Sequence, residues 1–295
     1  MLLVEKTGGD GMMMHVWKRR LIISVSAIAA AYLAICVYMW NTQREHIFEP
    51  TPILQTTPDR LGMKFEELLI PVGSGQDRGE LQAWWLPADR ENAETLLYLH
   101  GNDRNIGNNL EHALRLHNYG FNLLLPDYRG FGNSSGGSPS EAKVYEDAEA
   151  AWQYLVRKRG ISPGKIIIYG HSLGGAVAID LAVRHPEAAG LIAESTFTSM
   201  TDMGRLTYPL LPVDWLLNQR FDSLKKITQL KIPVLLIHGT WDRRVPVEMS
   251  QRLFDAAPQP KELVLIRGGE HSNSAAVGLV EYRNAVTAFD KQYAH

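Results

Sequence analysis

The sequence predicts an α/β architecture: an eight-stranded, mostly parallel sheet flanked by helices, preceded by one N-terminal transmembrane helix. Three observations predict it. The run from Leu21 to Trp40 holds twenty residues with no charge and no proline, and at about 1.5 Å rise per residue it covers about 30 Å, the hydrocarbon thickness of a bilayer. Two strand-like runs, Phe65–Ile70 and Leu81–Leu86, flank a Gly/Asp-rich turn and suggest an antiparallel hairpin. Six short Leu/Ile/Val runs then alternate with helical patterns, as expected for strands buried on both faces of a parallel sheet.

The elements follow in order. Residues 1–20 read as a cytoplasmic tail, because Lys6, Lys18, Arg19 and Arg20 precede the apolar run while only Arg44 and Arg60 lie within twenty residues after it. Trp17, Tyr38 and Trp40 sit where interfacial aromatics belong. Residues 21–40 read as an uncleaved signal anchor, which makes the following domain extracytoplasmic, periplasmic in a Gram-negative cell. A cleaved signal peptide competes, since Ala29-Ala30-Ala31 resembles a cleavage site. The apolar run continues nine residues further, however, beyond the usual h-region of about 7–15. A buried core helix competes less well, because such helices rarely lack a polar face over this length. The one cysteine, Cys36, falls inside the span, so it packs in the helix and no internal disulfide or multi-Cys metal cluster is available. Residues 41–60 contain three prolines and read as an extended linker holding the rest off the bilayer.

Residues 61–295 form the soluble domain. After the hairpin, strands are expected at Thr95–His100, Asn122–Pro126, Lys165–Tyr169, Gly190–Ala193, Pro233–His238 and Glu262–Ile266. Helices are expected over Gly107–Asn118, Leu173–His185, Val247–Ala256 and Val277–Gln292. Ser138-Pro139-Ser140-Glu141 reads as a capping box with Pro at the first helical position, opening a further helix on which Val144, Ala148, Trp152 and Leu155 share a face. A cap segment of about 196–230 is the one sizeable excursion. Its Leu206, Tyr208, Leu210, Leu211, Val213, Trp215, Leu216, Leu217 and Phe221 suit an acyl-chain pocket or a surface dipping toward the bilayer. Ordinary packing of a cap helix on the sheet is the plainer alternative.

Lys and Arg number 30 against 32 Asp and Glu, a formal charge of −2, so the basic excess of a phosphate-neutralising nucleic-acid binder is missing. A mean hydropathy of −0.16 argues against a polytopic membrane protein. No H-E-x-x-H or P-loop pattern occurs. His112 and His117 lie five apart, an unfavourable spacing for shared ligation on a helix. No cofactor or metal is expected.

The chemical signal is Gly170-His171-Ser172-Leu173-Gly174, directly after the strand KIIIY and before a helix of small apolar residues. In that context G-x-S-x-G is a nucleophile elbow, with the serine lifted above the sheet on a strained turn. A serine needs a base, and the base an orienting acid. The order Ser, Asp/Glu, His at successive strand ends selects Asp242 in HGTWDRRVP and His271 after ELVLIRGG. Glu194 is the rival acid because it ends the preceding strand. His171 is read as pointing away from the Ser172 face, and His100 and His238 as bracing their loops.

These pieces together carry a resemblance. LYLHGN (Leu97–Asn102), PDYRGFGNSSG (Pro126–Gly136), GHSLGG (Gly170–Gly175), ESTFTS (Glu194–Ser199), HGTWDRRVP (His238–Pro246) and GGEH (Gly268–His271) occur in order. Residues 61–293 resemble the α/β-hydrolase superfamily, and within it the membrane-anchored abhydrolase-domain branch of serine hydrolases. The resemblance implies that Ser172 attacks an acyl carbonyl, His271 takes its proton and Asp242 holds the imidazole. It implies an oxyanion hole from the backbone N–H groups of Leu173 and Asn102. Dehalogenases and epoxide hydrolases of this fold carry Asp at the elbow and are excluded by Ser172. The expected activity is hydrolysis of acyl esters or thioesters through an acyl-enzyme. The partners are a small acyl substrate, with lipids among the candidates, and the membrane through its anchor. A serine peptidase is the second reading, although no propeller or large gating domain of related oligopeptidases occurs. A non-catalytic binding protein on the same fold is the third, and it predicts a broken triad.

Overall fold

The computed structural model describes residues 9–294; residues 1–8 of the predicted tail, Lys6 among them, and His295 lie outside the described residues. Helix α1 spans Gly9–Ile47 and is the one described helix long and apolar enough to cross a membrane. It runs seven residues past Trp40, where the apolar run ends. Asn41–Ile47 is polar but contains no helix breaker, and helices stop for want of backbone bonds rather than of hydrophobicity. The helix stops where the Glu49 N–H turns from the helix to the Asn102 carbonyl, and Pro50 next to it keeps Glu49 out of the helical region.

The reading of 41–60 as a linker holding the domain away is therefore corrected. Its first seven residues continue α1, and Ile47 and Phe48 are buried in the domain core. Glu49–Pro50 pairs in parallel with Asp103–Arg104, and the Asn105 side chain donates to the carbonyls of Thr51 and Ile53 at 3.0 and 2.9 Å. The segment is strapped to the domain surface.

The sheet has eight strands: β1 (Glu66–Val72), β2 (Gly79–Leu86), β3 (Thr95–Leu99), β4 (Asn122–Pro126), β5 (Ile166–His171), β6 (Gly190–Glu194), β7 (Val234–Gly239) and β8 (Lys261–Ile266). They lie in the order β1-β2-β4-β3-β5-β6-β7-β8. β2 is antiparallel to both β1 and β4, and every other pair is parallel. Period-two alternation gives the sheet two cores. Leu97, Leu99, Ile166, Ile168 and Leu191 pack on one side, while Leu96, Tyr98, Ile167, Tyr169 and Ile192 pack on the other. Helices α2 (Ile106–Asn118), α3 (Glu141–Gln153), α4 (Leu173–Arg184), α8 (Val247–Ala256) and α10 (Leu279–Tyr293) cover the faces. The predicted helix over 277–292 is divided at Gly278, with the short α9 (Ser274–Val277) before it.

The N-cap lies two residues later than expected, and with Lys143 at the third helical position the capping box does not form. Ser140, not Ser138, caps α3, accepting from the Lys143 N–H at 3.3 Å. Glu141 is thus the first helical residue, and its carboxylate accepts the N–H groups of Arg220 and Phe221 at 2.6 and 2.9 Å. That contact fixes the far end of the cap. The cap comprises α5 (Met200–Thr207), α6 (Val213–Leu216) and α7 (Ser223–Ile227) and crosses the carboxyl ends of the strands.

Candidate active site

Strand β5 ends at His171 and α4 begins at Leu173, so the chain must reverse direction within one residue. That residue, Ser172, has φ 56° and ψ −122°, a conformation costly for an L side chain. The turn fits only because its neighbours are small: a Cβ on Gly174 would overlap the Leu99 carbonyl, and one on Gly170 the Gly174 carbonyl. The Ser172 N–H donates to the Glu194 carbonyl at 2.9 Å, and the Thr196 hydroxyl donates to the Ser172 carbonyl at 2.8 Å. Strain at the serine is thus held from the adjacent strand. Thr196 was not singled out in the sequence, though it lies in the ESTFTS phrase.

Asp242 follows β7 and His271 follows β8, and the two side chains form a line to Ser172. His271 Nε2 lies 3.0 Å from Ser172 Oγ, and His271 Nδ1 lies 2.7 Å from Asp242 Oδ2. The other Asp242 oxygen accepts the N–H groups of Arg244 and Val245, each at 2.9 Å. Burial pushes the Asp242 carboxyl upward, but hydrogen bonds from His238 and His271 outweigh that and hold it well below the usual carboxylate range. An ionised Asp242 only accepts, so His271 donates from Nδ1 and keeps Nε2 free to accept from Ser172.

His238 and His100 brace loops as expected. His238 Nε2 lies 2.9 Å from the Val245 carbonyl and Nδ1 lies 2.6 Å from Ser250 Oγ. His100 Nδ1 lies 2.8 Å from the Gly101 carbonyl.

The Glu194 side chain takes no part in the Ser172–His271–Asp242 line and is held by other partners. Its Oε2 accepts the Tyr169 hydroxyl and, at 2.7 Å, the Tyr282 hydroxyl, and it lies 3.2 Å from His112 Nε2. Burial raises this carboxyl, yet His112, His171 and Tyr169 bring it down to about 2.

His171 corrects the reading that it points away. Its Nε2 lies 2.8 Å from the His271 carbonyl, and the two rings are 5.1 Å apart. It steadies the loop that carries His271, a role that no local pattern in the sequence announces. Burial is the main cause that pulls the His171 pKa down to about 4, with Glu194 opposing and His271 and His112 adding to the drop. A neutral ring then donates Nε2–H to that carbonyl. Between pH 6.5 and 4 the unfolded chain binds a proton that the folded state refuses. Stability therefore falls as pH drops through that window, by about 3 kcal/mol at pH 4. Urea unfolding at about pH 7 and 4.5, either side of most of that window, checks this: His171→Gln should lose markedly less on acidification than the wild type. Equal losses would remove His171 from the acid response.

The two expected oxyanion donors are adjacent to the serine. Leu173 begins α4, where first-turn N–H groups have no intrahelical acceptor. Gly101 and Asn102 follow β3, and a Cβ on Gly101 would touch the Ser172 Cβ. The Asn102 side chain donates to the Ile47 carbonyl at 2.8 Å, and its own carbonyl accepts from the Glu49 N–H. Side chain and carbonyl are thus committed to the strap, and the N–H is left without a backbone acceptor among the described residues.

Two cavities meet at Ser172. One, of about 270 Å³, is apolar and includes Leu173, Phe197, Met200, Leu211 and Leu217 in its walls. The other, of about 290 Å³, is polar and includes Asn102, Arg115, His171 and Arg244. His271 borders both. Among the described residues, no group of three His, Cys, Asp or Glu side chains is placed to hold a metal ion.

Known proteins resemble this chain. An esterase of Pyrococcus furiosus superposes with a TM-score of 0.69 at 22% identity, covering 84% of this chain and all of that one. An uncharacterized protein of Mycobacterium tuberculosis is 33% identical over 250 residues, 84% of this chain and 87% of that one. The alpha/beta hydrolase domain-containing protein 17B of Xenopus laevis is 35% identical over 185 residues, 62% of each chain. The serine aminopeptidase S33 family profile matches residues 90–226. The chain belongs to the α/β-hydrolase superfamily. Within this hydrolase the matched profile runs from the approach to β3 through the elbow and most of the cap, while Asp242 and His271 lie beyond it. The expected fold class holds: eight strands, mostly parallel, flanked by helices.

Proposed function

We propose that the protein is a serine hydrolase that cleaves acyl esters or thioesters, with Ser172 as nucleophile, His271 as general base and acid, and Asp242 as its orienting carboxylate. One observation carries the reading: an unbroken hydrogen-bonded line from Asp242 through His271 to Ser172 ends where an apolar cavity opens. Ser172 Oγ bonds to the acyl carbon as its proton passes to His271 Nε2. The carbonyl oxygen becomes an oxyanion, stabilised by the N–H groups of Leu173 and Asn102. The tetrahedral intermediate collapses, and His271 gives its proton to the leaving alcohol or thiol. Water then attacks the acyl-enzyme, His271 takes the water proton, and collapse returns a proton to Ser172 Oγ and frees the acid. No cofactor enters any of these steps.

The apolar cavity suits the acyl chain and the polar one the leaving group. The test is fluorophosphonate labelling of membranes holding the wild type or Ser172→Ala. Labelling that depends on Ser172 is expected, and equal labelling of both would end the reading. A second reading, a serine peptidase, is favoured by the S33 family match. Faster turnover of aminoacyl 4-nitroanilides than of 4-nitrophenyl esters would select it.

The same proposal has α1 crossing the membrane with its basic N-terminal end in the cytoplasm and the domain outside. An alkaline phosphatase fused after the last residue should be active in intact cells. An inactive fusion made in normal amounts would reverse the orientation.

A further inference from the structure

The apolar cavity beside Ser172 is not closed by the hydrolase domain alone. Met39, Gln43, His46 and Ile47 of α1 form part of its wall, with Leu211 and Leu216 of the cap. Contact between α1 and the cap starts still earlier along the helix. Tyr32, Cys36, Met39, Gln43 and Ile47 recur at spacings of three and four, which puts them on one helix face. Cys36 is buried although its neighbours Ile35 and Val37 are exposed. The Tyr32 hydroxyl donates to the Leu210 carbonyl at 2.9 Å, and Gln43 accepts the Asn218 N–H at 2.8 Å.

These contacts set the depth of the cap. Tyr32 lies inside the apolar run, eight residues before Trp40, hence about 12 Å along the axis from the end of that run. A helix that spans the bilayer over Leu21–Trp40 therefore holds Leu210 below the surface of the leaflet. The side chains exposed there suit that depth: Leu206 is 58% exposed, Leu210 84% and Trp215 90%. In water these are costly, and within a leaflet they are not. Met39–Ile47, which walls the cavity, spans the end of the apolar run. Ser172 then stands at the interfacial level, where the acyl carbonyls of membrane lipids lie.

We propose that the cap edge Leu206–Trp215 is immersed in the same leaflet as the C-terminal part of the anchor. The acyl chain of a bilayer-resident amphiphile then passes sideways from that leaflet into a cavity walled jointly by α1 and the cap. The proposal rests on the reading of α1 as an anchor and of Ser172 as nucleophile, and it makes the anchor a substrate-binding element as well as a tether.

The test uses the full chain in vesicles of palmitoyl-oleoyl phosphatidylcholine. Leu210→Cys in a Cys36→Ala background carries an environment-sensitive fluorophore, with Leu33→Cys as the in-membrane reference. Quenching of the Leu210 probe by doxyl-labelled lipid, with protection from aqueous iodide, is the expected result. A probe quenched by iodide, or untouched by doxyl lipid, overturns the immersed cap. Separately, Met39→Trp and Leu216→Trp should each lower the ratio of 4-nitrophenyl decanoate to acetate turnover about tenfold, as expected when two or so methylenes lose their contacts. Leu33→Trp, on an exposed face of α1, should leave that ratio unchanged. An unchanged ratio in whichever of the two cavity variants folds would remove α1 and the cap from chain binding. Fluorophosphonate labelling is read on every protein. Its absence in the wild type fails the serine-hydrolase reading, whereas intact labelling with an iodide-quenched Leu210 probe fails this proposal alone.

Discussion

Asp242→Asn is expected to lower kcat/KM for a 4-nitrophenyl ester by about 10³–10⁴, because it reverses the tautomer of His271. The carbonyl oxygen of the substituted amide can keep the two backbone N–H groups of Arg244 and Val245 that Asp242 now holds. The amide NH₂ then takes the place of Oδ2 and faces His271 Nδ1, 2.7 Å away. A neutral imidazole facing a donor must accept there, which leaves the proton on Nε2 and nothing to receive the one on Ser172. Geometry and fold are preserved, so the thermal midpoint should move little while turnover collapses. Loss of activity in proportion to lost folded protein would mean that Asp242 only supports the loop. Retention of activity within about tenfold would return the role of acid to another carboxylate.

How much of this was legible before the structure depends on the range of the interaction. The strands were legible because burial on both faces leaves unbroken Leu/Ile/Val runs such as Ile166–Ile168 and Leu235–Ile237. Ser172 was legible because the elbow needs glycine at 170 and 174, and a steric requirement leaves a local trace. Asp242 and His271 were found by their order at strand ends, since a parallel sheet aligns those ends on one edge. What escaped was set by contacts between distant segments. A polar stretch such as Asn41–Ile47 gives no sign that Gln43 will bond to Asn218 or that Ile47 will wall a cavity beside Ser172. Nor does His171 announce the His271 carbonyl it supports, one hundred residues away. The N-cap was displaced because Ser138 and Ser140 can each cap a helix, and the choice between them is made by Gln219, Arg220 and Phe221 of the cap binding Glu141. Local rules picked out the candidate side chains, and long-range contacts shaped the pocket around them.

Glu194→Ala should show the opposite pattern to Asp242→Asn. Glu194 is fully buried, accepts the hydroxyls of Tyr169 and Tyr282, and lies 3.2 Å from His112 Nε2. Truncation opens a cavity at the end of β6. The two hydroxyls, 3.1 Å apart, can then bond to each other, but one proton is left without an acceptor. The cavity and the orphaned donor together should cost about 3–5 kcal/mol, a fall of about 10 °C in Tm for a domain of this size. The Ser172–His271–Asp242 line does not run through Glu194, so kcat/KM per folded molecule, measured well below the new midpoint, should stay within about tenfold of wild type. Glu194→Gln keeps an acceptor and the volume, and should recover most of the stability. A fall in kcat/KM of about 10³ or more at unchanged Tm would make Glu194 the acid of the site and displace Asp242. The two carboxylates stand at the ends of adjacent strands of one sheet and are told apart by the partners they meet. Asp242 meets an imidazole that reaches the serine, and Glu194 meets two tyrosines and His112.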